Sequence, residues 1–212
     1  MPRAKRTEQE IETMRRRILD AAVVLLREEG LEGMSIRKIA DRVGVSHMLL
    51  YSYFDNRAAI IGSLRERCLR QMTALFAESL RRAESGDALV QVRASLEWFV
   101  RISRQHPMLY QLTWRRSSED GSLRVDSRSV DEMLDHLSRL IRLCIERGQC
   151  VERDPSLAAL TVFSMVNGTL VLRHNLSALA QTDQTQLELE VIKAAITYLT
   201  RQNNLQVERK TR

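Results

Sequence analysis

The chain has 212 residues, which is enough for one or two domains, each with a hydrophobic core. Its hydrophobic share of 44% argues against extended disorder, and three prolines and eight glycines are too few for a turn-rich β architecture. The net charge of +6 suits a polyanionic partner such as nucleic acid, although it is equally compatible with a merely basic globular protein.

The cysteines and the amino-terminal residues indicate the cellular compartment in which the protein is expected. Cys68, Cys144 and Cys150 match no common zinc-ligand spacing, so we expect reduced, mostly buried thiols. The first ten residues are charged and lack the apolar segment of a signal peptide, and no uncharged apolar run is expected to approach the ~20 residues that span a bilayer. The sequence therefore predicts a cytoplasmic protein with no membrane partner.

Helix start and stop signals divide the chain into nine predicted helices and no strand. The first helix begins at a capping box formed by Thr7 and Glu10 and ends at Gly30. Two short helices follow, each behind a serine cap, Ser35 and Ser46. The expected approximate spans are, in order, 8–29, 36–43, 47–54, 57–82, 89–105, 107–116, 123–147, 155–179 and 185–203.

The last two predicted helices are apolar on nearly every side, and Thr185 with Glu188 predicts a second capping box at the start of the last one. A helix that is apolar all round is buried on more than one side. A second copy of the same surface is the simplest extra partner, which predicts a twofold homodimer. A central helix within a monomer is the alternative. The predicted interface residues are Leu160, Met165, Thr169, Leu172, Ile192, Ala195 and Leu199.

The segment 35–54 has the residue spacing of a helix-turn-helix. Counted from Ile36, the small residue Ala40 is fifth, Gly44 is ninth and the apolar Leu50 is fifteenth. The small residue lets two helices cross closely, glycine adopts the left-handed turn, and Leu50 anchors the second helix on the first. Such a helix enters the DNA major groove, although the same spacing also occurs by chance in helical proteins. The side chains that it would present are Ser46, His47, Met48, Tyr51 and Tyr53.

These residues resemble the DNA-binding domain of the TetR family of bacterial transcription regulators. The matching elements are Arg17–Ala22, Leu25, Leu26, Gly30, Ser35, Ile39, Ala40, Gly44–Ser46, Leu50, Tyr51, Tyr53, Phe54, Asn56 and Arg57. A weaker match, Trp98 and Phe99 followed by His106–Tyr110, is similar to the start of the C-terminal domain in one TetR subgroup. The resemblance implies an all-α, nine-helix protein with a DNA-binding domain over 1–57 and a ligand-binding and dimerisation domain over 58–212.

The resemblance also implies roles for individual residues. Ser35 would meet a phosphate, Arg37 would contact a guanine through its planar fork, and Arg57 would clamp a phosphate. The hydroxyls of two tyrosines would touch phosphate, while Lys38 is a lesser candidate. The complete predicted DNA-binding set is Ser35, Arg37, Lys38, Ser46, His47, Met48, Tyr51, Tyr53 and Arg57.

Two positions of the third helix depart from the family pattern. Met48 stands where the family carries a small residue or proline, and Leu49 replaces a frequent threonine, which removes one phosphate contact. Met48 could touch a thymine methyl group or simply pack. His47 could donate to a guanine or a phosphate, or have no role.

A small-molecule effector in the C-terminal domain is a further implication of the resemblance. Its binding would shift the fourth helix and spread the two DNA-binding heads. Trp114 with the two arginines after it hints at an anionic or aromatic effector. The expected pocket residues, each of which could equally be plain core, are Trp98, Ile102, His106, Tyr110, Trp114, Met133, His136, Phe163 and Asn167.

The sequence thus predicts a homodimeric regulator, most often a repressor in this family, on a near-palindromic double-stranded DNA operator. It shows no Gly-rich phosphate loop, no HExxH motif and no paired cysteines, so no catalytic residue, metal ligand or cofactor is expected. Two alternatives stay open. One is a regulator that responds to a partner protein or lacks an inducer, and the other is a helical enzyme or carrier with a similar fold.

Overall fold

The computed structural model describes residues 7–114, 127–175 and 183–201. This part of the chain contains nine α-helices and no strand, which confirms the predicted all-α architecture. The helices are α1 (Glu8–Gly33), α2 (Ile36–Val43), α3 (His47–Tyr51), α4 (Arg57–Ser85), α5 (Ala88–Gln105), α6 (Pro107–Trp114), α7 (Ser127–Glu146), α8 (Pro155–Asn175) and α9 (Gln184–Thr200). The ends predicted at 116, 123, 179 and 203 lie outside the described residues.

Helix α1 begins at the predicted capping box. The Glu10 N–H donates to Thr7 Oγ1 at 3.2 Å, and the Thr7 N–H donates to Glu10 Oε2 at 2.8 Å. Gly30 has a positive φ of 73°, so the regular helix breaks there as predicted, and one further turn reaches Gly33. The break turns the chain toward α2.

Helices α2 and α3 form a helix-turn-helix of the expected geometry. Ser35 Oγ accepts from the Lys38 N–H at 3.3 Å, and Ser46 Oγ accepts from the Leu49 N–H at 3.1 Å. Gly44 ends α2 in the left-handed conformation, with φ 77° and ψ 38°. Leu50 is completely buried. The third helix is shorter than predicted because the backbone after Tyr51 continues as a turn.

The described residues divide into two compact units, 7–68 with 106–114, and 69–105 with 127–175 and 183–201. The core of the first unit brings together apolar side chains of α1 to α4 and α6, including Ile18, Leu26, Ile39, Phe54 and Leu112. The division falls within α4, so the start of that helix packs with α1, α2 and α3, hereafter the head. The functional boundary at 57/58 stays a prediction.

The second unit is a bundle in which α5, α7, α8 and α9 pack on one another. The rings of Phe99 and Phe163 join α5 to α8, with centroids 5.4 Å apart. Arg147 holds the end of α4, since its Nη1 donates to the carbonyl oxygens of Ala83 and Gly86, both at 2.6 Å. These bonds satisfy carbonyl groups that a helix end leaves without partners.

Helix α8 corrects the expectation that no long apolar run exists. Within the described residues, Pro155–Arg173 is the one helical stretch long and apolar enough to cross a membrane. A core helix passes the same test of length and composition, so the stretch is weak support for a membrane span. A third of it is buried, and its exposed large apolar side chains are Leu157, Leu160, Met165 and Leu172.

All three cysteines are free thiols and are buried, in agreement with the sequence. Burial raises the pKa of the Cys68 thiol, which disfavours its reactive thiolate form. Cys144 and Cys150 lie together at the end of α7, where the Cys150 N–H donates to the Cys144 carbonyl oxygen at 3.2 Å.

Helix α9 begins at a cap that the sequence reading missed. Asp183 Oδ1 accepts from the backbone N–H groups of Thr185 and Gln186, at 3.0 and 3.2 Å. The predicted capping box of Thr185 with Glu188 is wrong, because Glu188 is buried and ion-paired with Arg173 and Arg104. Burial raises the pKa of the Glu188 carboxyl, while the two guanidinium groups oppose that shift.

Candidate nucleic-acid interface

The short helix α3 is anchored on one side and open on the other. Its inward side chain, Leu50, is completely buried, and Leu49 is half-buried. His47, Met48 and Tyr51 are exposed, and Met48 is 80% exposed. A five-residue helix is not stable alone, so its contacts with the core hold these exposed side chains in position.

Helix α2 adds an exposed cation. Arg37 is exposed, and within the described residues no ion pair or hydrogen bond of its guanidinium is found. Its neighbours are engaged, since Lys38 pairs with Glu29 and Arg42 Nη2 lies 2.8 Å from Glu28 Oε2. Arg37 therefore keeps its planar fork available for an external acceptor.

His47 connects the start of α3 to the end of α2. Its Nε2 lies 3.8 Å from Asp41 Oδ1, and both side chains are exposed. Ser35 and Ser46 lie at the starts of the two helices, with both hydroxyls used as caps. All residues of the predicted DNA-binding set except Tyr53 are exposed or half-buried, namely Ser35, Arg37, Lys38, Ser46, His47, Met48, Tyr51 and Arg57.

Two residues of the predicted DNA-binding set are engaged inside the first unit, and their contacts with DNA stay predictions. Tyr53 is only 8% exposed and belongs to the core of the first unit, although it borders an open groove of about 380 Å³ beside the start of α1. Arg57 is half-buried, and its guanidinium donates to the carbonyl oxygens of Met34, at 2.9 Å from Nε, and of Leu31. Arg57 therefore supports the corner between α1 and α2.

Three arginines support the ends of the helices in the head. Arg17 Nη2 donates to the Val43 carbonyl oxygen at the end of α2, at 3.2 Å. Arg15 Nη1 donates to the Tyr53 carbonyl oxygen just after α3, at 2.6 Å, and Arg15 Cζ lies 4.3 Å from the centre of the Phe54 ring. With Arg57 at the end of α1, each helix of the head has a guanidinium at its carbonyl end. Sequence reasoning missed these roles, because nothing in the local pattern names the acceptors.

The nine predicted pocket residues are divided between the two units. In the first unit His106 is exposed, Tyr110 is buried and Trp114 is half-buried. The other six lie in the second unit. Trp98, Ile102 and Asn167 are half-buried, Met133 and Phe163 are buried, and the side chain of His136 is 17% exposed. His136 Nδ1 is buried with no hydrogen-bond partner among the described residues.

The predicted dimer residues also separate into two groups. Leu160, Met165 and Leu172 of α8 are exposed, and Thr169 is half-buried. Ile192, Ala195 and Leu199 of α9 are buried within a single chain, so they are already covered before any partner binds, and their place in an interface stays a prediction. They recur at helical spacing on the side of α9 that faces its own bundle. Leu157 and Leu189, which were not predicted, are exposed.

Comparison with known proteins agrees with this geometry. Residues 18–64 match the family model described as bacterial regulatory proteins, tetR family. The chain is 32% identical over 118 residues to the HTH-type transcriptional repressor DrrR1 of Streptomyces coeruleorubidus, covering 51% of this chain and 40% of that protein. It is 39% identical over 54 residues to the class A tetracycline repressor protein from transposon 1721 of Escherichia coli, covering 26% and 25%. The chain thus matches less than half the length of these two relatives.

Solved structures match over nearly the whole chain. One, from work on the control of antibiotic production by bacterial hormones, superposes with a TM-score of 0.73 at 22% identity, covering 92% of this chain and 99% of that one. The transcriptional regulator FadR from Bacillus subtilis, in complex with stearoyl-CoA, superposes with a TM-score of 0.68 at 21% identity, covering 87% and 98%. At this identity the likeness establishes the fold.

Proposed function

We propose that this chain is a member of the tetR family of bacterial regulatory proteins, whose model its residues 18–64 match. We propose further that it is a cytoplasmic repressor, which a small-molecule effector releases from a near-palindromic operator. Members of this family are DNA-binding transcription regulators and not enzymes. The proposal assigns DNA binding to 1–57, and effector binding and dimerisation to 58–212.

The observation that carries the proposal is the exposed side of the helix-turn-helix. Met48 and Tyr51 are exposed beside a buried Leu50, and Arg37 is exposed on the preceding helix. A helix held in this way enters the major groove with its first residues against the base edges. A guanidinium without an internal partner suits a guanine edge or a phosphate.

A twofold dimer through α8 follows from its uncovered apolar side. Leu157, Leu160, Met165 and Leu172 recur at helical spacing and are all exposed, and Gly168 between them has open space around it. A contiguous apolar stripe on a helix marks an interaction surface. A second copy would cover the stripe and hold the two heads about 34–36 Å apart, one turn of DNA.

Effector binding is proposed for the second unit. His136, whose Nδ1 is buried, supplies a polar group on α7, the helix that also carries the buried Met133. Trp98, Ile102, Phe163 and Asn167 complete the proposed lining. Because α4 is one helix shared by both units, an effector that moves α4 would move the head.

Selection of bound fragments from genomic DNA by the purified full chain tests the proposal. We expect an inverted repeat whose binding weakens steeply as salt rises, because phosphate neutralisation releases counterions. Recovery of no preferred sequence, together with no salt-dependent binding to duplex DNA, would reject it in favour of a helical enzyme or carrier. Operator binding that no metabolite releases would favour a regulator controlled by a partner protein or lacking an inducer.

A further inference from the structure

The exposed side of α3 carries an apolar side chain at its centre and no charged residue. The helix sequence His47–Tyr51 contains no Asp, Glu, Lys or Arg. Met48 is 80% exposed, more than any other large hydrophobic side chain in the described residues. It therefore contributes little to the core, which Leu50 of the same helix joins completely.

The third helix offers few strong hydrogen-bonding groups for base edges. The Ser46 hydroxyl accepts the Leu49 N–H as a cap and keeps a single O–H to donate, and Lys38 of α2 is ion-paired with Glu29. His47 and Tyr51 remain as the polar groups of α3 itself. An apolar side chain between them suits an apolar feature of the DNA.

The major groove offers one such feature. The C5-methyl group of thymine projects into it, and aliphatic side chains contact that group specifically. Methionine is unbranched and flexible, with a polarizable sulfur, so it adapts to a methyl group more readily than a branched side chain does. Single exposed apolar residues are common on protein surfaces. Met48 differs because its position is on the helix that enters the groove.

We propose that Met48 reads the 5-methyl group of a thymine in each operator half-site. This inference rests on the proposed DNA-binding function and adds a specificity determinant to it. The contact removes water from both the methyl group and the thioether, so the base is selected by burial and not by hydrogen bonding.

Thymine-to-deoxyuridine replacement isolates the contact, because it deletes the methyl group and leaves every hydrogen-bonding group of the base pair. The probe is a duplex selected by this protein from a random pool, with each thymine replaced in turn. Each half-site should contain one thymine whose replacement lowers affinity. Replacement in one half-site should lower the affinity about fourfold, the value for one buried methyl group, and replacement in both half-sites about fifteenfold. At that position 5-methylcytosine should bind better than cytosine, by a similar factor, when each is paired with guanine.

Variants tie the effect to this residue. Met48→Ala should bind the thymine and deoxyuridine duplexes equally, whereas Met48→Leu should keep part of the discrimination. Val90→Ala is the matched control, since Val90 is another exposed apolar residue, 55% exposed on α5, and this change should leave discrimination intact. Circular dichroism checks that each variant keeps its helices, as the exposure of both side chains leads us to expect.

Each outcome decides the matter. Loss of discrimination in Met48→Ala alone supports the inference. If the wild type binds its operator in a salt-dependent way but binds the deoxyuridine and thymine duplexes equally, the inference is overturned and the proposed function stays in place. Methyl discrimination that persists in Met48→Ala would also overturn it, by assigning the contact to another residue. Absence of any preferred duplex would reject the proposed function and this inference together.

Discussion

Arg57 Nε donates to the carbonyl oxygen of Met34 at 2.9 Å, which ties the start of α4 to the corner between α1 and α2. A second N–H of the same guanidinium donates to the carbonyl oxygen of Leu31. The side chain that resemblance assigns to a phosphate thus fixes the internal geometry of the head. Its effect on DNA binding is expected to be indirect, through the position of α2.

Removal of this tie should destabilise the protein. Arg57→Ala is expected to lower the free energy of unfolding by about 1.5–3 kcal/mol, the range for hydrogen bonds that involve a charged group. Arg57→Lys should recover only part of the loss, because an ammonium group cannot reproduce the fork. Urea denaturation measures both, with Arg93→Ala on the exposed side of α5 as control. If Arg57→Ala keeps the wild-type stability and its DNA binding depends less steeply on salt, Arg57 contacts phosphate as the family resemblance implies.

Arg37 should matter for DNA affinity and not for folding. Arg37→Ala is expected to weaken operator binding by about 1–3 kcal/mol, the value for a bidentate contact with guanine, with the dimer intact. Lys38→Ala is the matched control on the same helix and should cost less, since Lys38 is paired with Glu29. Fluorescence anisotropy at fixed salt gives the affinities. Equal losses in both variants would point to general charge attraction in place of a specific contact.

The exposed stripe of α8 predicts how the dimer can be separated. Leu160→Glu is expected to give a folded monomer, because Leu160 is 50% exposed in one chain and a carboxylate would be buried in the dimer. Val90→Glu introduces the same charge at a similarly exposed site on α5 and should leave the dimer unchanged. Light scattering after size-exclusion chromatography measures the mass. A dimer that survives Leu160→Glu would exclude this stripe as the interface.

Glu188 predicts a pH dependence of stability. Burial raises the pKa of its carboxyl above the ordinary 4.5, so the folded chain binds this proton more tightly than the unfolded chain does. The stabilisation is complete below about pH 4.5 and is lost as the pH rises through the folded-state pKa. The unfolding free energy of the wild type relative to Glu188→Gln should therefore decrease over that window.

A carbon NMR titration of the Glu188 carboxyl checks the same prediction directly. Its midpoint should lie above 4.5. A midpoint below 4.5 would mean that attraction by Arg173 and Arg104 outweighs the cost of burial, and the stability difference would then change with pH in the opposite direction.

What local sequence determined about this protein is its helical framework and the turn that presents α3. The caps at Thr7 and Ser35 and the left-handed Gly44 agree with the structure, because each depends on contacts within about four residues. The helix-turn-helix spacing is equally local. It predicted that Leu50 is buried and that Met48 and Tyr51 are exposed.

Tertiary structure alone decided the destinations of longer side chains. Arg57 finds its acceptors 23 and 26 residues earlier in the chain, and Glu188 meets Arg104 from 84 residues away. Which side of α9 faces its own bundle is likewise set by packing, so Ile192 is buried inside one chain while Leu189 is exposed. When a helix is apolar on most sides, its sequence has no periodicity that tells which side packs in its own chain and which side faces a partner. Only the helices packed against it decide this.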